Sequence, residues 1–333
     1  MEQSIRVICY GLGPIGMGVA RHLLTKRGYT IVGAVDIAPD KVGKDLGRLL
    51  DLDRELGIVV RNDPPDLFAQ VKADVVLHTT ASFLPRVYPQ LIEILQAGMH
   101  VISTTEELAF PSLQHPDLAR ELDQIARQQG VTLLGTGVNP GFVMDRLVLT
   151  LSGVCQHIDH IRALRVVDAA QRRLPLQRKI GAGLTPEEFQ AKSQREKIGH
   201  IGLIESVALI AHGLQWELKD IQETVTPVIA ERHVQTPYLE VPPGAVAGIR
   251  HTARGIVGGE ARIELELQMY VGAEDPRDVI TISGVPPLQM TLAGGIMGDQ
   301  ATVAIVVNSI PVVLKSPPGL QTVIDLPAPL LIP

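Results

Sequence analysis

Cysteine is scarce. Cys9 and Cys155 are the only two, each in an apolar stretch, with no CxxC pair and no Cys/His cluster. Neither a disulfide framework nor a structural zinc is expected. Aromatics are only 3% of residues, and acids outnumber bases 36 to 30, for a formal net charge of −6. The chain therefore offers neither the basic footprint nor the stacking platforms of a nucleic-acid binder. No apolar run reaches the roughly 20 residues of a membrane span. The longest late one, 301–314, is broken by Asn308, Ser309 and Pro311. The opening MEQSIRVICYGLG carries Glu2 and Arg6 and meets glycines after a short apolar run, unlike a cleavable signal. A cytoplasmic protein with no nucleic-acid or membrane partner is expected. Repeats and low-complexity tracts are missing too.

What is present is globular. At 333 residues, about two domains are expected. Through residue 140, short β-branched runs alternate with helical patterns: strands at 5–10, 30–35, 74–78, 100–103 and 131–134, helices at 14–26, 86–97 and 118–129. Such alternation implies βαβ units, a parallel sheet and helices on both faces, hence a doubly wound α/β domain. Beyond about residue 145 the texture changes to a helix at 145–151, a strand in IDHIRALRVVD, and a helix from Thr185-Pro-Glu-Glu, where an N-cap residue precedes a helical proline. A helix at 204–214 follows, then mostly strands from 224 to 293. IELEL alternates strictly, so one face of that sheet should be wet. The second domain is thus α+β. A last apolar helix, about 300–314, is expected to return to the first domain.

GLGPIG (11–16) fits G-x-G-x-x-G through Gly11, Gly13 and Gly16, with Pro14 and Ile15 between them, directly after a strand and opening a helix. The first glycine permits a tight turn, the second lets backbone approach a pyrophosphate, and the third lets helix and sheet pack closely. The helix N-terminus offers N–H groups and a positive dipole end to phosphate. Asp36 ends the second strand, 20 residues beyond Gly16, where a ribose-binding carboxylate belongs. Its charge repels a 2′-phosphate, so NAD is favoured; Lys41 and Lys44 nearby leave NADP possible.

In open α/β sheets ligands lie beyond the carboxyl ends of the strands. Here those ends read His78-Thr79-Thr80-Ala81-Ser82, Ser103-Thr104-Thr105-Glu106-Glu107 and Gly135-Thr136-Gly137-Val138-Asn139-Pro140-Gly141-Phe142. Thr79, Thr80, Ser103, Thr104 and Asn139 are candidate cofactor contacts, although Ser82 or Thr105 could equally cap the following helix. Glu106 and Glu107 could be helix-dipole partners. At the mouth of a nicotinamide pocket, however, partial desolvation would suit either to general base work. His157 and His160 are spaced i, i+3 without a further ligand nearby, so they read as surface or structural and no metal is expected.

The chain resembles the 2,4-diaminopentanoate dehydrogenases and native NAD(P)-dependent amine dehydrogenases of the dihydrodipicolinate-reductase-like superfamily. The resemblance is carried by YGLGPIG, VGKDLG (42–47), VISTTEELAFP (101–111), LGTGVNPGFVMD (134–145), RKIGAGLTPEEF (178–189), GHIGLIESVALIAHGLQW (199–216) and PPGLQTVIDLP. Gln215 stands where the family usually has a second glycine before Trp216, a local turn difference. The resemblance implies a Rossmann domain over 1–144, a substrate-binding and dimerisation α+β domain over 145–299, and a C-terminal helix and tail over 300–333. It also implies a homodimer and reversible NAD(P)-linked interconversion of a small primary amine with a carbonyl compound and ammonia. Homoserine dehydrogenases resemble the same strand end with a lysine where Glu106 stands, which points to Glu106 as the base and Glu107 as the fallback. Neither that lysine nor the HHxxK-type motif of the lysine-pathway reductases is present.

For a plain amine, the substrate pocket would be lined by Pro140, Phe142, Val143 and Met297. For a diamino acid, a carboxylate clamp would come from Arg162, Arg165, Arg172, Arg173 or Arg178, which could equally be solvated or lie at a dimer interface. Other readings are an alcohol-forming or imine-reducing oxidoreductase and a non-catalytic dinucleotide-binding sensor, since fold does not fix function.

Overall fold

The computed structural model describes residues 4–195 and 198–333. They form two compact units, one from residues 4–142 with 297–333 and one from the described residues of 143–296.

The first unit begins with β1 (Ile5–Tyr10), α1 (Pro14–Leu23), β2 (Tyr29–Val35), α2 (Leu46–Leu49), β3 (Val60–Arg61) and α3 (Pro64–Gln70). It continues through β4 (Val75–His78), α4 (Leu84–Gln96), β5 (His100–Ser103), a 3₁₀ turn at Glu106–Ala109, α5 (Pro116–Gln129) and β6 (Thr132–Gly135). β4 is buried along its whole length, as a strand covered on both faces must be. Pro85 in the first turn of α4 and Pro116 at the start of α5 mark where loop gives way to helix. α5 ends at Gly130, whose φ of 70° is the left-handed cap that glycine adopts without strain.

The second unit holds α6 (Arg146–Ser152), β7 (His157–Asp168), α7 (Leu174–Lys179), α8 (Pro186–Arg195) and α9 (Leu203–Gly213). Its remaining strands are β8 (Leu218–Ile229), β9 (Val234–Gln235), β10 (Glu240–Val241), β11 (Val246–Val257), β12 (Glu260–Tyr270), β13 (Arg277–Val285) and β14 (Leu288–Ala293). α8 opens with a capping box: Thr185 N–H donates to Glu188 Oε2 at 2.8 Å, and Glu188 N–H donates to Thr185 Oγ1 at 3.2 Å. The chain then closes the first unit with α10 (Gly298–Asn308), α11 (Ile310–Val313) and β15 (Gly319–Gln321). The expected single helix at 300–314 breaks at Ser309, because Pro311 has no amide proton to continue the ladder.

All strands of the first sheet are parallel, in the order β15-β6-β5-β4-β1-β2-β3. The order reverses between β1 and β4, which makes their carboxyl ends the topological switch point of a Rossmann fold. α10 packs on α1 closely enough that a Cβ on Gly18 would meet Val303 at 2.8 Å. The second sheet is mixed, in the order β14-β13-β7-β12-β11-β8, with only β7 and β12 parallel. α9 covers one face, where Val207 leaves room only for glycine at Gly255. The other face is polar: Arg162, Glu264, Glu266, Arg250 and Arg254 form a ladder of ion pairs 2.8–3.4 Å long across β7, β12 and β11. That is the wet face the alternation of IELEL anticipates.

Candidate functional site

The glycine loop sits at the switch point. Gly11 has φ +90°, and a Cβ there would fall 2.7 Å from the Thr79 carbonyl oxygen. A Cβ on Gly16 would fall 1.8 Å from the Gly11 carbonyl oxygen, so α1 lies against the loop itself. Thr79 Oγ1 donates to that same carbonyl at 2.7 Å. Gly13 differs, since a Cβ there would meet nothing within 4 Å. Its open side and the start of α1, with Pro14 and Ile15 in the first turn, are where a pyrophosphate could approach backbone. Gly11, Gly13, Asp36, Thr79 and Thr80 all line one cleft of about 270 Å³, together with Tyr10, Lys41 and Arg86. The loop and the cleft fit a dinucleotide.

Asp36 does more in the fold than its spacing suggested. Its Oδ2 accepts from Leu12 N–H at 2.7 Å and its Oδ1 from Ala38 N–H at 2.8 Å. Lys41 Nζ lies 3.3 Å from Oδ2 and donates to the Leu12 carbonyl at 2.8 Å. Burial pushes the Asp36 carboxyl up, but the Ala38 and Leu12 amides and the Lys41 ammonium together hold it below the ordinary carboxylate range. A carboxylate has about four lone-pair sites. Three are engaged, which leaves one for a ribose hydroxyl.

The ends of β4 and β5 are joined by buried polar groups. His78 Nδ1 lies 2.9 Å from Ser103 Oγ, and its Nε2 lies 2.8 Å from Gln90 Oε1, which also accepts from Thr80 Oγ1 at 2.9 Å, and 2.9 Å from Thr80 Oγ1 itself. Ser103 Oγ donates to Thr105 Oγ1 at 3.0 Å, which donates to the Ala81 carbonyl at 2.8 Å. Thr104 N–H donates to the His78 carbonyl at 3.0 Å. Sequence reasoning left His78 and Gln90 without a role, because their partners lie far along the chain.

The two glutamates part company here. Glu107 is 6% exposed. Its Oε2 accepts from Leu84 N–H at 2.7 Å and lies 2.9 Å from His115 Nε2. It therefore satisfies the first turn of α4, the duty expected of Ser82. Neither Phe83, the actual N-cap of α4, nor Thr105 supplies a side-chain cap. Glu106, half-buried, opens the 3₁₀ turn immediately after Thr105. On the β6 side, Asn139 and Pro140 are buried, and Val138 N–H donates to Thr302 Oγ1 of α10 at 3.2 Å. Phe142 is half-buried in the first unit, where Met297 is 60% exposed. Val143 is buried in the second unit.

Two of the five arginines considered for a carboxylate clamp are committed elsewhere. Arg165 is 4% exposed, pairs with both Asp278 oxygens at 3.0 and 3.1 Å and donates to the Ile296 carbonyl at 2.5 Å. Arg162 belongs to the ion-pair ladder, at 3.4 and 3.2 Å from Glu264 and Glu266. His157 pairs with Asp159 at 2.8 Å in solvent. Among the described residues no cluster of three or more His, Cys, Asp and Glu is set to hold a metal, and no helix is long and apolar enough to cross a membrane.

Comparison with known proteins fits this geometry. The family model for the 2,4-diaminopentanoate dehydrogenase C-terminal domain matches residues 142–332. A 2,4-diaminopentanoate dehydrogenase from Acetoanaerobium sticklandii is 35% identical, over 98% of this chain and 94% of its own. The chain belongs to the 2,4-diaminopentanoate dehydrogenase family. A relative of this family member, an amine dehydrogenase from Streptomyces virginiae, is 24% identical over 97% of this chain and 96% of its own. The solved amine dehydrogenase from Mycobacterium smegmatis superposes with a TM-score of 0.87 at 28% identity, covering 99% of this chain and 98% of that one. A dihydrodipicolinate reductase from Paenisporosarcina sp. TG-14, at TM-score 0.52 and 12% identity over 92% of this chain and 95% of that one, shares the fold.

Proposed function

We propose that this family member is an NAD(P)-dependent amine dehydrogenase that interconverts a small primary amine with a ketone or aldehyde and ammonia. The observation that carries the reading is the division of labour at the end of β5. Glu107 is consumed by the α4 N-terminus and His115, whereas Glu106, half-buried, opens the 3₁₀ turn that follows the carboxyl end of β5.

The cleft holds the dinucleotide through Gly11, Gly13 and Gly16, Thr79 and Thr80, with Asp36 and Lys41 at the ribose; Thr104 and Asn139 complete the strand-end contacts, and Ser103, which has no exposed surface, supports them from behind. When bound, the dinucleotide supplies the hydride donor or acceptor. Asp36 favours NAD, and Lys41 beside it keeps NADP admissible. In the amination direction, Glu106 as carboxylate takes a proton from ammonium and leaves ammonia free to attack the carbonyl. The resulting carbinolamine needs a proton to lose water, and Glu106 returns the one it took. Its restored negative charge then stabilises the iminium. Pro140, Phe142 and Met297 of the first unit supply the apolar walls.

A second reading, oxidative deamination of a diamino acid, is favoured by the relative at 35% identity. With Arg162 and Arg165 engaged, a carboxylate clamp would have to come from Arg172, Arg173 or Arg178. We place the protein in the cytoplasm as a homodimer. The polar face of the second sheet, with alternating arginines and glutamates, is self-complementary as a two-fold interface requires.

Absorbance at the reduced-nicotinamide band tests the proposal. Ammonia-dependent turnover is expected with small ketones or aldehydes, and diamino acids arbitrate between the two readings. Carbonyl reduction without ammonia would replace both with an alcohol-forming enzyme. Dinucleotide binding with no turnover on any of these would leave a sensor.

A further inference from the structure

We infer that His78 is a positioning residue: one buried imidazole that fixes Thr105, and so the direction of Glu106, through one nitrogen, and holds the dinucleotide-facing Thr80 through the other. This rests on the reading of Glu106 as the base.

Proton counting carries the inference. A hydroxyl has one proton to give. Thr105 gives its proton to the Ala81 carbonyl, and the one Ser103 proton is shared between Thr105 Oγ1 at 3.0 Å and His78 Nδ1 at 2.9 Å. Gln90 Oε1 can only accept; it lies 2.8 Å from Nε2 and takes the Thr80 Oγ1 proton at 2.9 Å, so Nε2 carries the ring proton. Nδ1 is left as the acceptor, toward Ser103 Oγ at 2.9 Å, while Nε2–H also lies 2.9 Å from Thr80 Oγ1. Burial pushes the imidazolium down to about 4, a cost only partly offset by the Gln90 contact, so the ring is neutral at pH 7. A doubly protonated ring could not accept at Nδ1.

Direction follows from this. Ser103 Oγ also accepts from Thr105 N–H at 3.1 Å, so both the backbone and the side chain of Thr105 are held from the β5 end. Thr105 is the residue from which the 3₁₀ turn starts and Glu106 is the next. The other arm ends on Thr80, which lines the dinucleotide cleft. No part of His78 is exposed, so it acts on the reaction through these neighbours.

Isosteric half-replacements separate the arms. Asparagine places an amide oxygen where Nδ1 was, and glutamine places an N–H where Nε2–H was. Expected for His78→Gln is a kcat loss of about tenfold or more, the scale of a small misplacement, with little change in reduced-dinucleotide Kd. His78→Asn should lose several-fold less kcat and show the larger rise in Kd. Ser103→Ala should reproduce the kcat loss of His78→Gln, which keeps the test open if one His78 variant fails to fold. All kcat values are taken per dinucleotide-binding site, with Tm alongside. If His78→Gln, His78→Asn and Ser103→Ala lose only Tm and keep kcat per site, the role is structural and the inference is overturned. In Glu106→Gln, adding His78→Gln should cost no further kcat, whereas additive losses overturn the coupling. Full turnover in Glu106→Gln itself would sink the base reading and the assignment of His78 with it. An inactive Glu106→Gln beside unimpaired His78→Gln and Ser103→Ala would sink the His78 inference alone.

Discussion

Glu107→Ala and Glu106→Gln should fail in opposite ways. The Glu107 carboxylate is buried and accepts from the Leu84 amide at 2.7 Å, one of the donors a helix start leaves without an intrahelical partner. Losing an acceptor of that kind costs about 1–2 kcal/mol. Its contact with His115 at 2.9 Å adds about 1 kcal/mol, for a loss of about 2–3 kcal/mol in Glu107→Ala. In a body of this size each kcal/mol is worth about 2–4 °C, so Tm should fall by about 5–10 °C. Glu107→Gln keeps an oxygen for the Leu84 amide and should lose less than half of that. Thermal unfolding by circular dichroism measures the shift, and steady-state turnover is measured in the same samples. Glu106→Gln should keep its Tm and its dinucleotide affinity while kcat falls by about 10²-fold or more. A Glu107→Gln enzyme that is fully stable but inactive, beside an active Glu106→Gln, would refute the assignment of the two carboxylates.

Asp36→Ala removes the acceptor used by Leu12 and Ala38 and the counter-charge of Lys41. NAD should bind more weakly by about 1.5–3 kcal/mol while NADP holds or improves; titration of both dinucleotides reads the ratio, and an unchanged ratio would mean Asp36 does not face the ribose. Phe142→Ala should shift preference toward longer carbonyl substrates by about 1 kcal/mol or less per methylene, and a flat chain-length profile would make the ring ordinary packing. His78 titrates near 6.5 when unfolded and at about 4 when folded. Below 6.5 the unfolded chain therefore binds the extra proton, so the stability contributed by neutral His78 is complete above that pH and is lost as pH falls toward 4, by at most about 3 kcal/mol. Urea unfolding at pH 7 and 4.5 should show a smaller acid loss in His78→Asn than in the wild type; an equal loss would assign the acid sensitivity to other groups.

The parallel sheet was legible because its long strands announce themselves locally. Ile5–Tyr10 is an apolar run that stops at glycine, and the strand occupies the expected residues. IELEL alternated because Glu264 and Glu266 face arginines on β7 and β11 while Ile263, Leu265 and Leu267 are buried. β3 and β15, at two and three residues, are too short to show any period, and both passed unread. α1 also stops at Leu23, short of the expected Lys26. The glycine loop and Asp36 were visible because their spacing is local. Glu106 and Glu107 have nearly the same sequence surroundings, and what separates them is the Leu84 amide, 23 residues away. Arg165 looked available as a clamp because its partner Asp278 lies 113 residues downstream. Charge pairing across a sheet leaves no trace in a linear reading.

The seventh strand of the first sheet comes from nearly the far end of the chain. β15 pairs with β6 at Thr132–Leu134, and Leu320 N–H donates to Asp123 of α5 at 2.9 Å. During synthesis, β6 emerges long before its neighbour, with the whole second unit still to be made in between. At 5–20 residues per second that interval is roughly 10–35 s. Throughout it, one edge of β6 carries unpaired amides and carbonyls, and α1 lacks the cover of α10, so a nascent chain is adhesive at both places. The second unit is contiguous and can finish first, whereas the dinucleotide-binding unit is completed last. Translation rate and chaperone supply therefore bear on the yield of the cofactor site more than on that of the rest of the molecule.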